Sequence, residues 1–372
     1  MSSPKTFKFR LYPNRKQREQ MLRTLDACRE LYNAGLEERI GAWKCRTPVN
    51  YNTQQNQLPE IKAIRTELLN IYSHALQDPL HRLDKAFKAF FGRCKSGQKP
   101  GFPRFKGRYR FDSFTYPDGF KFVGSRLQLS KIGNIKVKQH RPIEGKIKTV
   151  TIKRECGAWY ATLSVEFPPT ALPRTDVTIG VDVGLESFAV LSDGTTIENP
   201  RWYHGAQVEL RKAQRRVARR RKGSKRRRKA VMLLQKVHQR VRNQRNDFHH
   251  KLSCWLVENF GFIAVEDLNV RGLAGGMLSK SVHDAGWAGF LSKLSYKAAN
   301  AGRTMIAVKP SGTSQTCVCG ATVRKLLSDR EHVCLSCGLI ASRDHVSAQV
   351  ILQRAGTLPS SDNVEAISSC VA

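Results

Sequence analysis

Long apolar runs are missing from the sequence. No stretch approaches the roughly 20 continuous apolar residues of a membrane span, and the opening segment MSSPKTFKFRLYP has no apolar signal region. The expectation is a soluble cytoplasmic protein that does not enter a membrane. Acidic residues are also scarce: 30 Asp and Glu stand against 64 Lys and Arg, a formal net charge of +34. That imbalance points to a polyanionic partner, nucleic acid ahead of an anionic membrane surface. Evenly distributed cysteine is absent too. Four of the ten cysteines crowd into residues 317–337 while the other six are scattered, which argues against a disulfide framework and for a reduced compartment with one metal site. No internal repeat is visible. A length of 372 residues excludes small-scaffold readings and accommodates two or three domains of about 150 residues.

What is present falls into segments. Phe7, Phe9 and Leu11 alternate with Lys8 and Arg10, the period of a half-buried strand, and Pro13-Asn14 supplies a helix start. Apolar residues at helical spacing follow in two series, Leu22, Leu25, Cys28, Tyr32, Leu36, Ile40 and then Leu76, Leu80, Leu83, Phe87, Phe91. From residue 110 to 167 short alternating segments separated by Gly and Pro predict a small β-barrel or sandwich that includes the first strand. The helical unit is then an insertion into a β domain, and Pro168, Pro169 and Pro173 form a linker. Beyond it, VTIGVDVGLESFAVLSDGTTI predicts two strands with a tight turn, and residues 202–259 predict two long helices broken at Gly223-Ser224. In the second, Val231, Leu234, Val237, Val241, Phe248, Leu252 and Trp255 mark one apolar stripe. A buried strand (FIAVE), a Gly-rich loop (RGLAGGMLSKS), a helix over Trp287 to Ala301, a strand (RTMIAV), the cysteine-rich insertion and a final helix near 345–354 complete the pattern. From Gly356 the chain is expected to be a disordered tail.

Three acids interrupt this pattern where charge is expensive. Asp182 sits inside an apolar strand, Glu266 ends another, and Asp344 stands near the start of the last helix. A carboxylate on a buried strand needs a cation or a metal beside it. Two strand acids and a helix acid form the oxygen-ligand set of a two-metal phosphodiesterase holding two Mg²⁺ ions. Taken singly, Asp344 also reads as a charge complementing a helix start, Asp182 as a turn acid beside Gly184, and Glu266 as a loop acid beside Asp267.

Cys334 and Cys337 form CxxC, and Cys317 and Cys319 precede them across a 14-residue loop. These four are candidate ligands of one structural Zn²⁺, with His332 a possible substitute because the first pair is CxC. Between Arg211 and Lys229, thirteen of nineteen residues are Lys or Arg and none is acidic. Like charges at i and i+4 oppose a helix, so such a run marks phosphate binding, with Arg215, Arg216, Arg219, Arg220, Arg226 and Arg227 as candidate contacts. Phe102, Phe105, Tyr109, Phe111, Phe114 and Tyr116 interleave with Arg104, Lys106, Arg108 and Arg110. This segment suits stacking on unpaired bases, with Arg104 and Arg108 on phosphates; packing of Phe111 to Tyr116 in a β core is the alternative.

GVDVGLESFAVLSDG, FIAVEDLNVRGL, TSQTC followed by CLSCG, and SRDHVSAQVIL together resemble the RuvC-type nuclease half of TnpB proteins, encoded by bacterial insertion sequences and related to the type V CRISPR nucleases. KTFKFRLYPNRKQ and PRFKGRYRFDSFTYP are similar to the N-terminal half of that family. The resemblance implies an α/β multidomain chain: a β-barrel (1–12 and 110–170), a helical recognition domain (13–109), an RNase H-like (RuvC) nuclease domain (174–310 and 339–355) and an inserted zinc finger (311–338), before the tail (356–372). It implies that Asp182, Glu266 and Asp344 are the catalytic triad, that a guide RNA from the transposon end (omega RNA) is bound, and that double-stranded DNA is cut beside a transposon-adjacent motif. Many relatives carry Asn two residues after the last acid, where this chain has Val346. A DDE-type transposase would use similar acids but needs transposon-end recognition, and no helix-turn-helix pattern stands out. A non-catalytic RNA-guided repressor would be expected to have lost its acids.

Overall fold

The computed structural model describes residues 3–167, 171–326 and 328–356. Pro168, Pro169 and the tail beyond Gly356, expected as linker and disordered segment, lie outside these residues. The chain divides into two compact units, Met1–Pro168 and Pro169–Ala372. Among the described residues no helix is long and apolar enough to cross a membrane.

The first unit opens with strand β1 (Ser3–Tyr12). Its alternation buries Phe7, Phe9 and Leu11 and turns Lys8 and Arg10 outward. Asn14, extended behind Pro13, then starts helix α1 (Arg15–Lys44): its side chain accepts from Gln17 N at 2.9 Å while Gln17 Oε1 accepts from Asn14 N at 3.0 Å, a reciprocal cap. Helices α2 (Tyr51–Asn56), α3 (Leu58–Ile64) and α4 (Ser73–Lys95) follow. Six strands complete the unit: β2 (Ser113–Tyr116), β3 (Phe120–Val123), β4 (Arg126–Leu129), β5 (Gly133–Lys138), β6 (Lys146–Glu155) and β7 (Ala158–Phe167). They form one antiparallel sheet in the order β2-β6-β7-β1-β5-β4-β3. The expected barrel is therefore corrected to a curled open sheet. Its edge strands β2 and β3 are joined by only residues 117–119, so the edges meet at one corner, but no ladder pairs them among the described residues. Met21, Leu25, Leu36, Leu76 and Leu83 of the helices share one core with Phe9, Phe114, Leu163 and Val165 of the sheet.

The second unit is built on strands β8 (Thr178–Val183), β9 (Ser187–Leu191) and β10 (Thr196–Glu198), helices α5 (Trp202–Ala218) and α6 (Lys225–Asn259), and strand β11 (Phe262–Glu266). Then come α7 (Val270–Leu273), α8 (Ser279–Ala285), α9 (Trp287–Ala301), β12 (Thr304–Val308), the short hairpin β13 (Glu331–Val333) and β14 (Ile340–Ser342), and α10 (Arg343–Gly356). The segment expected as two strands holds three, and the Gly-rich loop contains two short helices. The sheet runs β10-β9-β8-β11-β12; β8, β9 and β10 are antiparallel neighbours, while β11 runs parallel to both β8 and β12. Ile179, Val181 and Val183 face Leu252 and Leu256 of α6 and Phe290 and Leu294 of α9. On the other face, Ala264, Ile306 and Val308 meet Ile351 and Ala355 of α10. The α6 stripe slips by one residue from its expected course: Leu256 is fully buried and Trp255 is 39% exposed, because the helix needs four steps after Leu252 to return to the same face.

Candidate active site and nucleic-acid surfaces

Strand register brings two of the acids together. β8 and β11 pair in parallel with Ile179 opposite Ile263 and Val181 opposite Val265, so the next positions, Asp182 and Glu266, are neighbours projecting from one face. Gly180, two residues before Asp182, lies on that same face. A Cβ there would stand 2.0 Å from the Ala348 carbonyl oxygen of α10; only glycine lets the helix approach so closely. The contact lays α10 across β8 with Asp344 in its first turn. Val346 is buried.

The charges feel one another. Burial, then the charges of Glu266 and Asp344, hold Asp182 well above the usual carboxylate range, against the pull of Arg343. Burial also raises Glu266, while a hydrogen bond from Thr313 and the charge of Arg354 oppose the rise. Thr313 Oγ1 donates to Glu266 Oε1 at 2.5 Å, and Arg343 Nε donates to Asp344 Oδ1 at 3.2 Å. Asp182 and Glu266 are thus hard oxygen donors whose ionised form burial disfavours, and a nearby cation would favour it. The three acids do not converge on one point: among the described residues, the four cysteines form the one group of metal-ligand side chains with all ligand atoms within 4.8 Å.

The cysteine cluster does converge. Cys317 and Cys337 Sγ lie 3.6 Å apart, and Cys319 and Cys334 Sγ 3.7 Å apart. A tetrahedron with zinc–sulfur bonds of about 2.3 Å has edges of about 3.8 Å, so the spacing is compatible with a structural zinc and too long for a disulfide. Backbone N–H groups of the knuckle, from Cys337 first, pull the Cys334 thiol down to about 6, toward the thiolate that binds metal. Burial first raises Cys317, and, against the backbone N–H of Leu339, hydrogen bonds with Cys319 and Cys334 push Cys337 up. The CxC half reaches the site as well as the CxxC half. His332 stands outside the group; its Nδ1 faces Lys325 Nζ.

The basic run folds as the α5–α6 hairpin, with the break at residues 219–224 and Ser224 capping α6. Arg215, Arg216, Arg219, Arg220 and Arg226 are exposed. Arg227 is different: its Nη1 donates to the carbonyls of Val217 at 2.8 Å and Arg220 at 3.0 Å, closing the end of α5. Besides its candidate phosphate contact, Arg227 therefore serves as a clasp on the turn through Nη1. In the aromatic-basic segment, Phe111, Phe114 and Tyr116 belong to the core, whereas Phe102, Phe105 and Tyr109 are about half exposed beside exposed Arg104 and Arg108. Arg108 lies 5.6 Å from the Tyr109 ring.

Gly180, Thr313 and Arg354 were not singled out by sequence reasoning. Glycine and threonine are ordinary in strands and loops, and the single available signal was the position of Thr313 at the head of TSQTC.

Comparison with known proteins adds relatives over most of the chain. A family model described as "Probable transposase" matches residues 162–276, and one described as "Cas12f1-like, TNB domain" matches 287–351. A third, described as "Helix-turn-helix domain", matches residues 1–47, which fold here as β1 and the uninterrupted α1. A Streptomyces pristinaespiralis protein named "Putative RNA-guided DNA endonuclease" is 35% identical over 94% of this chain and 88% of its own length. The Escherichia coli K12 protein named "Putative RNA-guided DNA endonuclease InsQ" is 32% identical over 95% and 92%. A solved Cas12f1–sgRNA–target DNA complex aligns over 94% of this chain and 99% of that one, at 17% identity and a TM-score of 0.37.

Proposed function

Since the chain belongs to the TnpB family, we propose that it is a guide-RNA-directed endonuclease that cuts double-stranded DNA beside a transposon-adjacent motif. The observation that carries this reading is the gathering of Asp182, Glu266 and Asp344 at the ends of β8 and β11 and the start of α10, where burial and the other two charges together raise Asp182. The sheet order, three antiparallel strands continued by two parallel ones, supports an RNase H-like nuclease core. Asp182, Glu266 and Asp344 would hold two Mg²⁺ ions. Bound there, the ions supply an activated water and charge stabilisation for the leaving oxygen of the phosphodiester. Gly180 and the α10 contact set Asp344 against Asp182, and Thr313 orients Glu266. The exposed arginines of the α5–α6 hairpin and of the 102–109 loop bind phosphates of RNA and DNA, and the four cysteines hold a structural zinc. The guide, an omega RNA from the end of the encoding insertion sequence, reads the target by pairing, while the protein reads the flanking motif and the shape of the duplex.

A second reading, a transposase, is favoured by the descriptions of two matching family models, "Probable transposase" and "Helix-turn-helix domain", although the described part of the latter's span folds as a strand and one uninterrupted helix. Expression with the DNA that flanks its own gene separates the two. The protein should co-purify with one RNA, and the complex should cut a randomised-flank library in Mg²⁺ only where target and flank both match. Asp182→Ala, Glu266→Ala and Asp344→Ala should each reduce cleavage to background while leaving nucleic-acid binding near parental. Cleavage of transposon ends by a verified RNA-free preparation would overturn the guided reading, and parental cutting by Asp344→Ala would return that residue to a helix-start charge.

A further inference from the structure

Glu266 ends its strand only 9% exposed, and the group that reaches its carboxylate comes from 47 residues further along the chain. Thr313, 4% exposed, brings its hydroxyl to 2.5 Å from Glu266 Oε1 and 3.0 Å from the Pro310 carbonyl oxygen. A hydroxyl has one proton to give, and an ionised carboxylate is the stronger acceptor. The segment that carries Thr313 is itself braced. Arg354, in the last turn of α10, donates to the carbonyls of Lys309 at 3.3 Å and Ser311 at 2.7 Å and to Thr316 Oγ1 at 3.2 Å. Lys325 Nζ donates to the Ser314 carbonyl at 3.0 Å. Cys317, a member of the cysteine cluster, follows Thr313 by four residues. The helix that bears Asp344 and the finger that bears the cysteines therefore both hold the loop that holds Glu266.

We propose that Thr313 is a positioning residue that fixes the Glu266 carboxylate in the orientation that receives a divalent cation. The terminal torsion of a glutamate side chain is broad and roughly two-fold; a hydrogen bond to one oxygen from a braced loop stops that rotation and presents the carboxylate in one pose. The inference rests on the reading of Glu266 as a metal ligand, and its test separates the two. Full-length, zinc-loaded protein freed of nucleic acid is titrated with Mn²⁺ and followed by electron paramagnetic resonance, and the RNA-loaded complex is assayed for cleavage, for Thr313→Val, Thr313→Ser and Glu266→Gln. Thr313→Val keeps volume and removes the hydroxyl. It should weaken Mn²⁺ binding and slow cleavage by about 10- to 100-fold, the usual range when a metal ligand is deprived of its outer partner, with zinc content and melting temperature at parental values. Thr313→Ser should restore both. Parental Mn²⁺ binding in Thr313→Val overturns the inference, as does Thr313→Ser failing equally, or a Thr313→Val whose melting temperature falls, since each assigns the residue to packing. If Glu266→Gln binds Mn²⁺ and cuts like the parent, the ligand reading itself falls; if Glu266→Gln is dead while Thr313→Val is unaffected, only the positioning role falls.

Discussion

His249 is 1% exposed and packed among Phe188, Phe248 and Phe290. Its Nε2 lies 2.9 Å from the Ala285 carbonyl oxygen; a carbonyl only accepts, so this nitrogen carries the ring's proton. Burial above all pulls its pKa down to about 4. Between that value and the unfolded value near 6.5, the unfolded chain takes up a proton that the folded chain refuses. The stability of the neutral histidine is therefore complete above about pH 6.5 and declines toward pH 4, by up to about 1.4 kcal/mol per pH unit. Urea midpoints followed by tryptophan fluorescence should fall over this window and fall less in His249→Phe; an equal slope in the variant would place the proton elsewhere. Residue by residue, legibility followed rarity. Asp182 and Glu266 stood out because a charge inside an apolar strand is unusual. Thr313 did not, because its partner lies on another element and nothing in a lone threonine announces it. Arg227 was hidden in a run of basic neighbours whose composition is alike and whose geometry is not.

At the scale of the element, the α5–α6 hairpin divides its arginines into a surface set and a clasp. Replacing Arg215, Arg216, Arg219, Arg220 and Arg226 by Gln should weaken RNA or DNA binding. It should also flatten the slope of log affinity against log salt by about 0.7 to 0.9 for each phosphate the protein no longer neutralises, with the melting temperature unchanged. Arg227→Gln should do the reverse, costing about 1 kcal/mol of stability through its carbonyl hydrogen bonds and leaving the salt slope near parental. The finger makes its own prediction. Metal analysis should find about one zinc per chain, and Cys334→Ser should lower both zinc content and melting temperature, because the site and its fold form together. Full zinc occupancy in that variant would remove Cys334 from the site. Helices and strands were legible from period alone, and their ends were not. The break between α5 and α6 falls at residues 219–224, opening about a turn before the Gly-Ser pair, where Arg227 holds the Val217 and Arg220 carbonyls. Alternation likewise predicted the strands of the first unit, but closure into a barrel required a β2–β3 ladder, and alternation says nothing about that.

Over the whole molecule, the acids are supplied in order by β8, β11 and α10, with the hairpin, the α9 helix and the finger in between. A chain ended after Ser342 keeps the five strands but lacks the helix that covers Gly180, Ala264 and Ile306. It should bind nucleic acid through its hairpin and give no cleavage in a plasmid-nicking assay; residual cutting would show that Asp344 is dispensable. The close seating of Ala348 on Gly180 then has a meaning in time. At about 5 to 20 residues per second on the ribosome, the codon for Asp344 is read roughly 10 to 30 s after that for Asp182, and its helix cannot dock before it emerges. If the chain is the nuclease proposed above, a growing chain already cationic enough to seize nucleic acid would pass its synthesis without Asp344, and a product broken off early would bind without cutting.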